Sequence, residues 1–161
     1  MYSFYQIMQE GKPIYEELVR LSRKKKIAIA DKNVEPLDAI VRQEQGVVMR
    51  LSQWERNRAD CVEKLSKQLG QTPESATFLF FAKQAPTEKQ HEFKALHDEL
   101  AHLLAELSEL NDSNRKMLDA RLEYVRFALS TLSEEQTNGY DARGGERDKK
   151  EPGRAIFNRE A

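Results

Sequence analysis

The sequence has few of the residues that disulfide-linked, sheet-based or membrane-spanning proteins require. It contains one cysteine, Cys61, which excludes an internal disulfide framework and favours a reducing compartment. Val, Ile and Thr together number 18 of 161 residues, and glycine 7, too few for a β-sandwich or a doubly wound parallel sheet. No apolar run approaches the ~18 residues of a membrane span. Residues Met1 to Glu10 lack the basic and apolar stretches of a secretory signal. We therefore expect no membrane insertion.

The sequence also lacks recognisable patterns of catalytic or metal-binding residues. The three histidines, His91, His97 and His102, are six and five residues apart, whereas two ligands on one helix face need a spacing of three or four. The stretch from His97 to His102 resembles a zinc-protease helix with the wrong spacing. Neither a glycine-rich phosphate loop nor a local nucleophile signature is found. We therefore predict no catalytic residues, no metal and no cofactor, and that the chain is not an enzyme.

The residues that are abundant are helix formers. Ala, Glu, Lys, Leu and Arg account for 77 of the 161 residues, close to the ~50% typical of coiled coils and long helices. The net charge of −1 differs from the strongly basic balance of a dedicated nucleic-acid binder. The one basic cluster of the helical part, Arg23 to Lys26, falls near the end of a predicted helix, where cations are favoured. A nucleic-acid or lipid patch at this cluster remains an alternative.

Apolar spacings of three and four predict three long helices and one short helix, separated by turns that contain proline. Their approximate ranges are Tyr2 to Ala30, Val34 to Leu69, Pro73 to Lys83 and Thr87 to Leu132. The fold class is all-α: an elongated antiparallel helical bundle or coiled coil with a disordered C-terminal tail. We predict a bundle domain over residues 1–133 and a polar flexible tail over residues 134–161, where charged residues outnumber large apolar ones. The sequence leaves open whether the first helix continues through Pro13.

The apolar seams of these helices are interrupted at six positions. They are Gly11, Lys25, Glu44, Arg58, Asn111 and Asn114. Glu44 and Arg58 are about 21 Å apart on one helix, so each must reach around the seam edge or meet a partner on another helix. The two amides on the fourth helix are expected to fix register or partner. The run Phe78 to Phe81 predicts a short helix that plugs one end of the bundle, with an exposed docking patch as the alternative.

The unequal lengths of the predicted helices point to an uncovered apolar strip. The second helix spans about 52 Å and the fourth about 69 Å, which leaves roughly ten residues of the fourth without a partner from the second. The end of the fourth helix nevertheless keeps its apolar spacing, around Leu122, Val125, Phe127, Leu129 and Leu132. We therefore predict that it binds a helix from another chain. Coverage of the strip by the first helix is an equally open alternative.

A series of short motifs runs along the chain. They are Ala28 to Leu37, Glu44-Gln45, Leu51, Glu55-x-x-Arg58, Asn111-x-x-Asn114-x-x-x-Leu118, Leu122-Glu123-Tyr124-Val125, Leu132, Gly139-Tyr140, Gly144 and Ile156-Phe157-Asn158. Taken in order, they resemble the motifs of the FlgN family of flagellar export chaperones. The resemblance extends over nearly the whole chain. It implies a cytoplasmic bacterial protein that binds the C-terminal helical segments of the hook–filament junction proteins FlgK and FlgL. Such a chaperone prevents their premature assembly and delivers them to the export gate component FlhA.

The resemblance also assigns functional residues. The client-binding residues it implies are Leu118, Leu122, Val125, Leu129 and Leu132. Docking at the export gate is assigned to Tyr140, and Tyr124 is the alternative. Two other functions remain open: a self-associating coiled-coil scaffold without a client, and a nucleic-acid-linked regulator acting through the basic cluster. The chaperone interpretation predicts no nucleic-acid partner and leaves open whether the chain forms a homodimer.

Overall fold

The computed structural model describes residues 2–32, 34–73 and 76–139, and in these ranges the chain forms helices and turns without any strand. The four helices are α1 (Tyr2–Ala30), α2 (Val34–Gln68), α3 (Phe78–Lys83) and α4 (Thr87–Gly139). This confirms the predicted all-α class of three long helices and one short helix. None of the described helices has both the length and the apolar character that crossing a membrane would require.

The chain divides into two compact units, residues 1–121 and residues 122–161. The first unit holds α1, α2, α3 and the beginning of α4, and the second holds the remainder of α4. Helix α4 continues to Gly139, so its predicted end near Leu132 is wrong. The reason is local, because no proline or glycine occurs between Pro86 and Gly139 to stop the helix.

Local signals in the sequence account for the other helix ends. Helix α1 runs unbroken through Pro13, and Lys32, in the turn that follows the helix, has a left-handed φ of 59°. Helix α2 ends in a Schellman motif, in which Gly70 has a φ of 64° and the Gln71 amide donates to the Ser66 carbonyl at 2.9 Å. Helix α3 begins at Phe78 and not at the predicted Pro73, because the Thr77 hydroxyl caps it by accepting from the Phe80 amide at 3.2 Å.

Within the first unit, α1 packs antiparallel to α2. The contacts that define this direction pair Lys25 with Glu44, Glu17 with Arg50 and Ile7 with Trp54. A core of buried residues from α1, α2 and α4 surrounds these contacts. Its members are Tyr15, Leu18, Leu21, Ala28, Ile40, Val47, Trp54, Leu96 and Leu100.

Helices α1 and α4 run parallel within the same unit. Their polar contacts follow one another along both helices: Lys12 with Glu99, Ser22 with Asn111, and Ala30 with Arg121. Ser22 lies at the centre, 1% exposed, and its hydroxyl donates to the Asn111 side-chain oxygen at 3.1 Å. The Asn114 amide, also buried, donates to the Ser22 carbonyl at 2.9 Å. The two predicted seam amides thus both bind one serine and set the register of α1 against α4.

The phenylalanine run forms the plug that the sequence predicts. Phe81 is fully buried, and its ring lies 4.5 Å from that of Phe4 between centroids. Phe78 packs against Phe93 of α4 at 6.0 Å between ring centroids. Leu79 is the member of the run that faces solvent, with 51% exposure. Helix α3 therefore joins the starts of α1 and α4 in a second apolar cluster.

Candidate binding surface

The second unit presents a strip of apolar side chains along α4. Leu122, Val125, Leu129 and Leu132 are 53%, 51%, 61% and 60% exposed. Their spacings of three, four and three residues place them on one helix face. We call these four residues the apolar strip. The strip has the exposure that a binding surface needs, while its role in client binding stays a prediction.

The fifth predicted client-binding residue, Leu118, belongs to the first unit. Its side chain is half-buried, unlike those of the apolar strip. Arg121, the last residue of that unit, donates from its guanidinium to the Ala30 carbonyl at the end of α1, at 3.0 Å. The structure therefore does not give all five predicted residues equal access to solvent.

Two exposed aromatic residues lie on a different face of the same helix segment. Tyr124 is 71% exposed and Phe127 is 70% exposed. They are three residues apart, so their side chains are neighbours on the helix surface. The carbonyl of Phe127 also accepts hydrogen bonds from the hydroxyls of Ser130 and Thr131, at 2.7 and 3.0 Å. The sequence analysis groups Phe127 with the leucines of this segment, but its spacing of two residues from Val125 and from Leu129 puts its side chain off their face.

The residue assigned to gate docking cannot be placed. Tyr140 lies outside the described residues, which end at Gly139. Its alternative, Tyr124, is described and exposed.

A small recess lies at the opposite end of α4, within the first unit. Its volume is about 200 Å³, and its walls come from α1 and from the junction of α3 and α4. The apolar lining residues are Tyr2, Tyr5, Ala85, Pro86 and Phe93. Lys89 and Glu92, which form an ion pair at 2.8 Å, complete the rim. The recess has room for one side chain of a peptide rather than for a cofactor.

Two residues of the basic cluster of α1 form ion pairs with carboxylates of other helices in the bundle. The Arg23 guanidinium binds Glu106 of α4, with its Nε at 2.8 Å from the carboxylate. Lys25 Nζ lies 2.5 Å from Glu44 Oε2 of α2, and both side chains are mostly buried. Arg58, the other charged seam position of α2, binds Glu55 on its own helix at 2.8 Å and lies over the Trp54 ring. Two of the four cations are therefore structural, which favours the bundle interpretation over a nucleic-acid patch.

The cysteine and one of the three histidines pack against apolar or aromatic side chains. Cys61 is partly buried against the second apolar cluster, and this burial raises the pKa of its thiol above the ordinary value. His97 packs on Phe78 with 5.2 Å between ring centroids. Among the described residues, no group of three or more His, Cys, Asp or Glu side chains could hold a metal ion.

These features define an all-α protein that exposes an apolar strip on a long helix. Comparison with known proteins gives the family: the chain matches the FlgN protein family over residues 1–148 and belongs to it. This confirms the resemblance seen in the sequence, and it identifies a family of flagellar export chaperones.

One curated relative shows a more distant likeness. The chain is 25% identical over 125 residues to a Bacillus subtilis (strain 168) protein named "Uncharacterized protein YvyG". The aligned region covers 78% of this chain and 76% of the relative. No solved structure gives a significant match to the chain.

Proposed function

We propose that this chain is a cytoplasmic type III export chaperone for the hook–filament junction proteins FlgK and FlgL. It binds their C-terminal helical segments, prevents premature assembly and delivers them to the export gate component FlhA. Family membership supports the chaperone role. The observation that carries the choice of site is the exposure of the apolar strip, which has the spacing of a helix-binding surface.

The client is proposed to cover the apolar strip with its own amphipathic helix. A helix that coils against its own kind in an assembled filament exposes apolar side chains when it is unassembled, and these promote aggregation. The strip offers four anchors, Leu122, Val125, Leu129 and Leu132, with Leu118 as a partly buried fifth. Because these side chains are about half exposed, covering each one contributes roughly half of the 1.5–3 kcal/mol of a fully exposed leucine, before the losses of ordering are subtracted. An interface with a few anchors suits a client that must later be released at the gate.

Delivery requires a second contact, which we assign to Tyr140, with Tyr124 as the alternative. Replacing each tyrosine by alanine and measuring binding of the loaded chaperone to the cytoplasmic part of FlhA tests the assignment. Tyr2, 75% exposed in the first unit, provides the matched control. We expect Tyr140→Ala to lose gate binding while Tyr2→Ala keeps it. If only Tyr124→Ala loses gate binding, the docking site lies at Tyr124 in α4.

Sedimentation distinguishes the chaperone from the coiled-coil scaffold. The full chain is sedimented alone and with a purified C-terminal helical fragment of a FlgK-like protein. A chaperone shifts to a heavier complex when the fragment is added. A stable homodimer that ignores the fragment would contradict the proposal and favour the scaffold.

A further inference from the structure

Arg126 borders the middle of the apolar strip. Between Leu122 and Leu132 the only charged residues are Glu123 and Arg126. Arg126 follows Leu122 by four residues and precedes Leu129 by three, so its exposed side chain lies beside both. Glu123 has no member of the strip at either spacing and neighbours Phe127 instead. Between Leu122 and Leu129, the charge at the edge of the strip is therefore positive.

The guanidinium of Arg126 is available to a partner. Within the described part of the chain it forms no ion pair, although Glu123 is only three residues away. An arginine presents a planar fork of donors that fits a carboxylate. In coiled helices, charged residues beside the apolar seam select the partner and its direction by this kind of pairing.

We propose that the helix covering the apolar strip carries an Asp or Glu carboxylate beside its apolar side chains, and that this group pairs with Arg126. The inference rests on the proposed client binding and specifies the chemistry of the client. The pair fixes the register and direction of the bound helix, because leucine anchors alone tolerate a shift of one turn. In a second copy of this chain, the group beside the middle of the strip is again Arg126, which offers no carboxylate at that place.

Charge reversal tests the proposal on the full-length chain. The probe is the C-terminal helical fragment of a FlgK-like protein, titrated at about 0.1 M and about 1 M salt, where the screening lengths are about 10 and 3 Å. We expect Arg126→Glu to weaken binding about tenfold at the lower salt and much less at the higher salt. Lys116→Glu is the matched control, because Lys116 is exposed on α4 and is not adjacent to any strip residue. It should bind like the unaltered chain.

A compensating change and an anchor variant separate the possible failures. Replacing the acidic residues of the fragment one at a time by lysine should yield one variant that restores binding to Arg126→Glu. If Leu129→Asp loses binding while Arg126→Glu binds normally at the lower salt, the carboxylate pairing is overturned and the proposed function stands. If Leu129→Asp also binds normally, the apolar strip is not the client site and both proposals fall.

Discussion

Trp54 occupies the space that Gly11 leaves open on the facing helix. A Cβ atom built on Gly11 would lie 2.4 Å from Cζ2 of the Trp54 indole. The indole Nε1 donates to the Ile7 carbonyl of α1 at 2.7 Å, one helical turn before the glycine. The apparent gap in the seam of α1 is thus the place where the single tryptophan docks against the backbone.

This close approach predicts that Gly11→Ala destabilises the chain. Alanine is favoured over glycine in a helix by about 1 kcal/mol, but overpacking costs about 1–3 kcal/mol. We expect a net loss of free energy of unfolding, measured by urea denaturation. Gly46→Ala is the matched control, because nothing lies within 4 Å of its Cβ position, and it should gain about 0.5–1 kcal/mol. Equal effects of the two substitutions would refute the close packing.

Two buried serines should respond in opposite ways to alanine. The Ser22 hydroxyl donates to Asn111, whereas the Ser66 hydroxyl, fully buried, has no hydrogen-bond partner within the described part of the chain. Ser22→Ala should lose about 1 kcal/mol of unfolding free energy. Ser66→Ala should be neutral or stabilising by up to about 1 kcal/mol, because it removes an unsatisfied polar group. Thermal and urea denaturation of both variants provide the comparison, and a large loss in Ser66→Ala would reveal a missing partner.

The Lys25–Glu44 pair predicts non-additive mutations. The two side chains are 17% and 15% exposed, so Lys25→Met leaves a largely buried carboxylate without its cation. We expect a loss of about 1–3 kcal/mol in unfolding free energy for the single variant. The Lys25→Met, Glu44→Leu double variant should return to within about 1 kcal/mol of the unaltered chain. Breaking the exposed Asp38–Arg42 pair by Asp38→Ala should change stability by less than about 0.5 kcal/mol.

The single thiol gives a pH-dependent prediction. Because burial raises the pKa of Cys61 in the folded chain, its thiolate forms at higher pH than in the unfolded chain. Alkylation by iodoacetamide should therefore reach half its maximal rate at higher pH in native buffer than in urea. The folded state prefers the protonated thiol, so this stabilisation is complete below the unfolded pKa of about 8.5 and is lost as pH rises through the folded pKa. Coincident rate profiles in the two solvents would contradict the burial effect.

Much of the fold can be predicted from the spacing of apolar residues and from the positions of proline and glycine in the sequence. The bounds of α1 and α2, the start of α4 and the plug of phenylalanines come from apolar periodicity, proline positions and one aromatic run. Apolar periodicity does not predict the true end of α4, because the residues after Leu132 are polar and continue no apolar repeat. The helix continues to Gly139 because neither glycine nor proline interrupts it. Which residues meet across helices lies beyond such reasoning. The pairing of Gly11 with Trp54 depends on the relative register of two helices, which periodicity does not specify.

The candidate site is only partly predictable for the same reason. Spacing groups the leucines of α4 on one face, but solvent exposure depends on what the other helices cover. The structure shows Leu122 to Leu132 exposed and Leu118 half-buried, a distinction that identical residue types cannot reveal. The exposure of Tyr124 and Phe127 is likewise not predictable from residue type, because an aromatic residue in a helix is more often part of a core.

Client binding at the apolar strip is tested most directly by titrating the FlgK-like C-terminal fragment into two aspartate variants. Leu129 lies in the strip, and Leu104, 46% exposed, lies on α4 within the first unit. An aspartate at a central anchor should weaken binding at least about tenfold, the loss expected of a buried interface anchor. The account predicts this loss for Leu129→Asp and unaltered affinity for Leu104→Asp. Undiminished binding by a folded Leu129→Asp chain would contradict it.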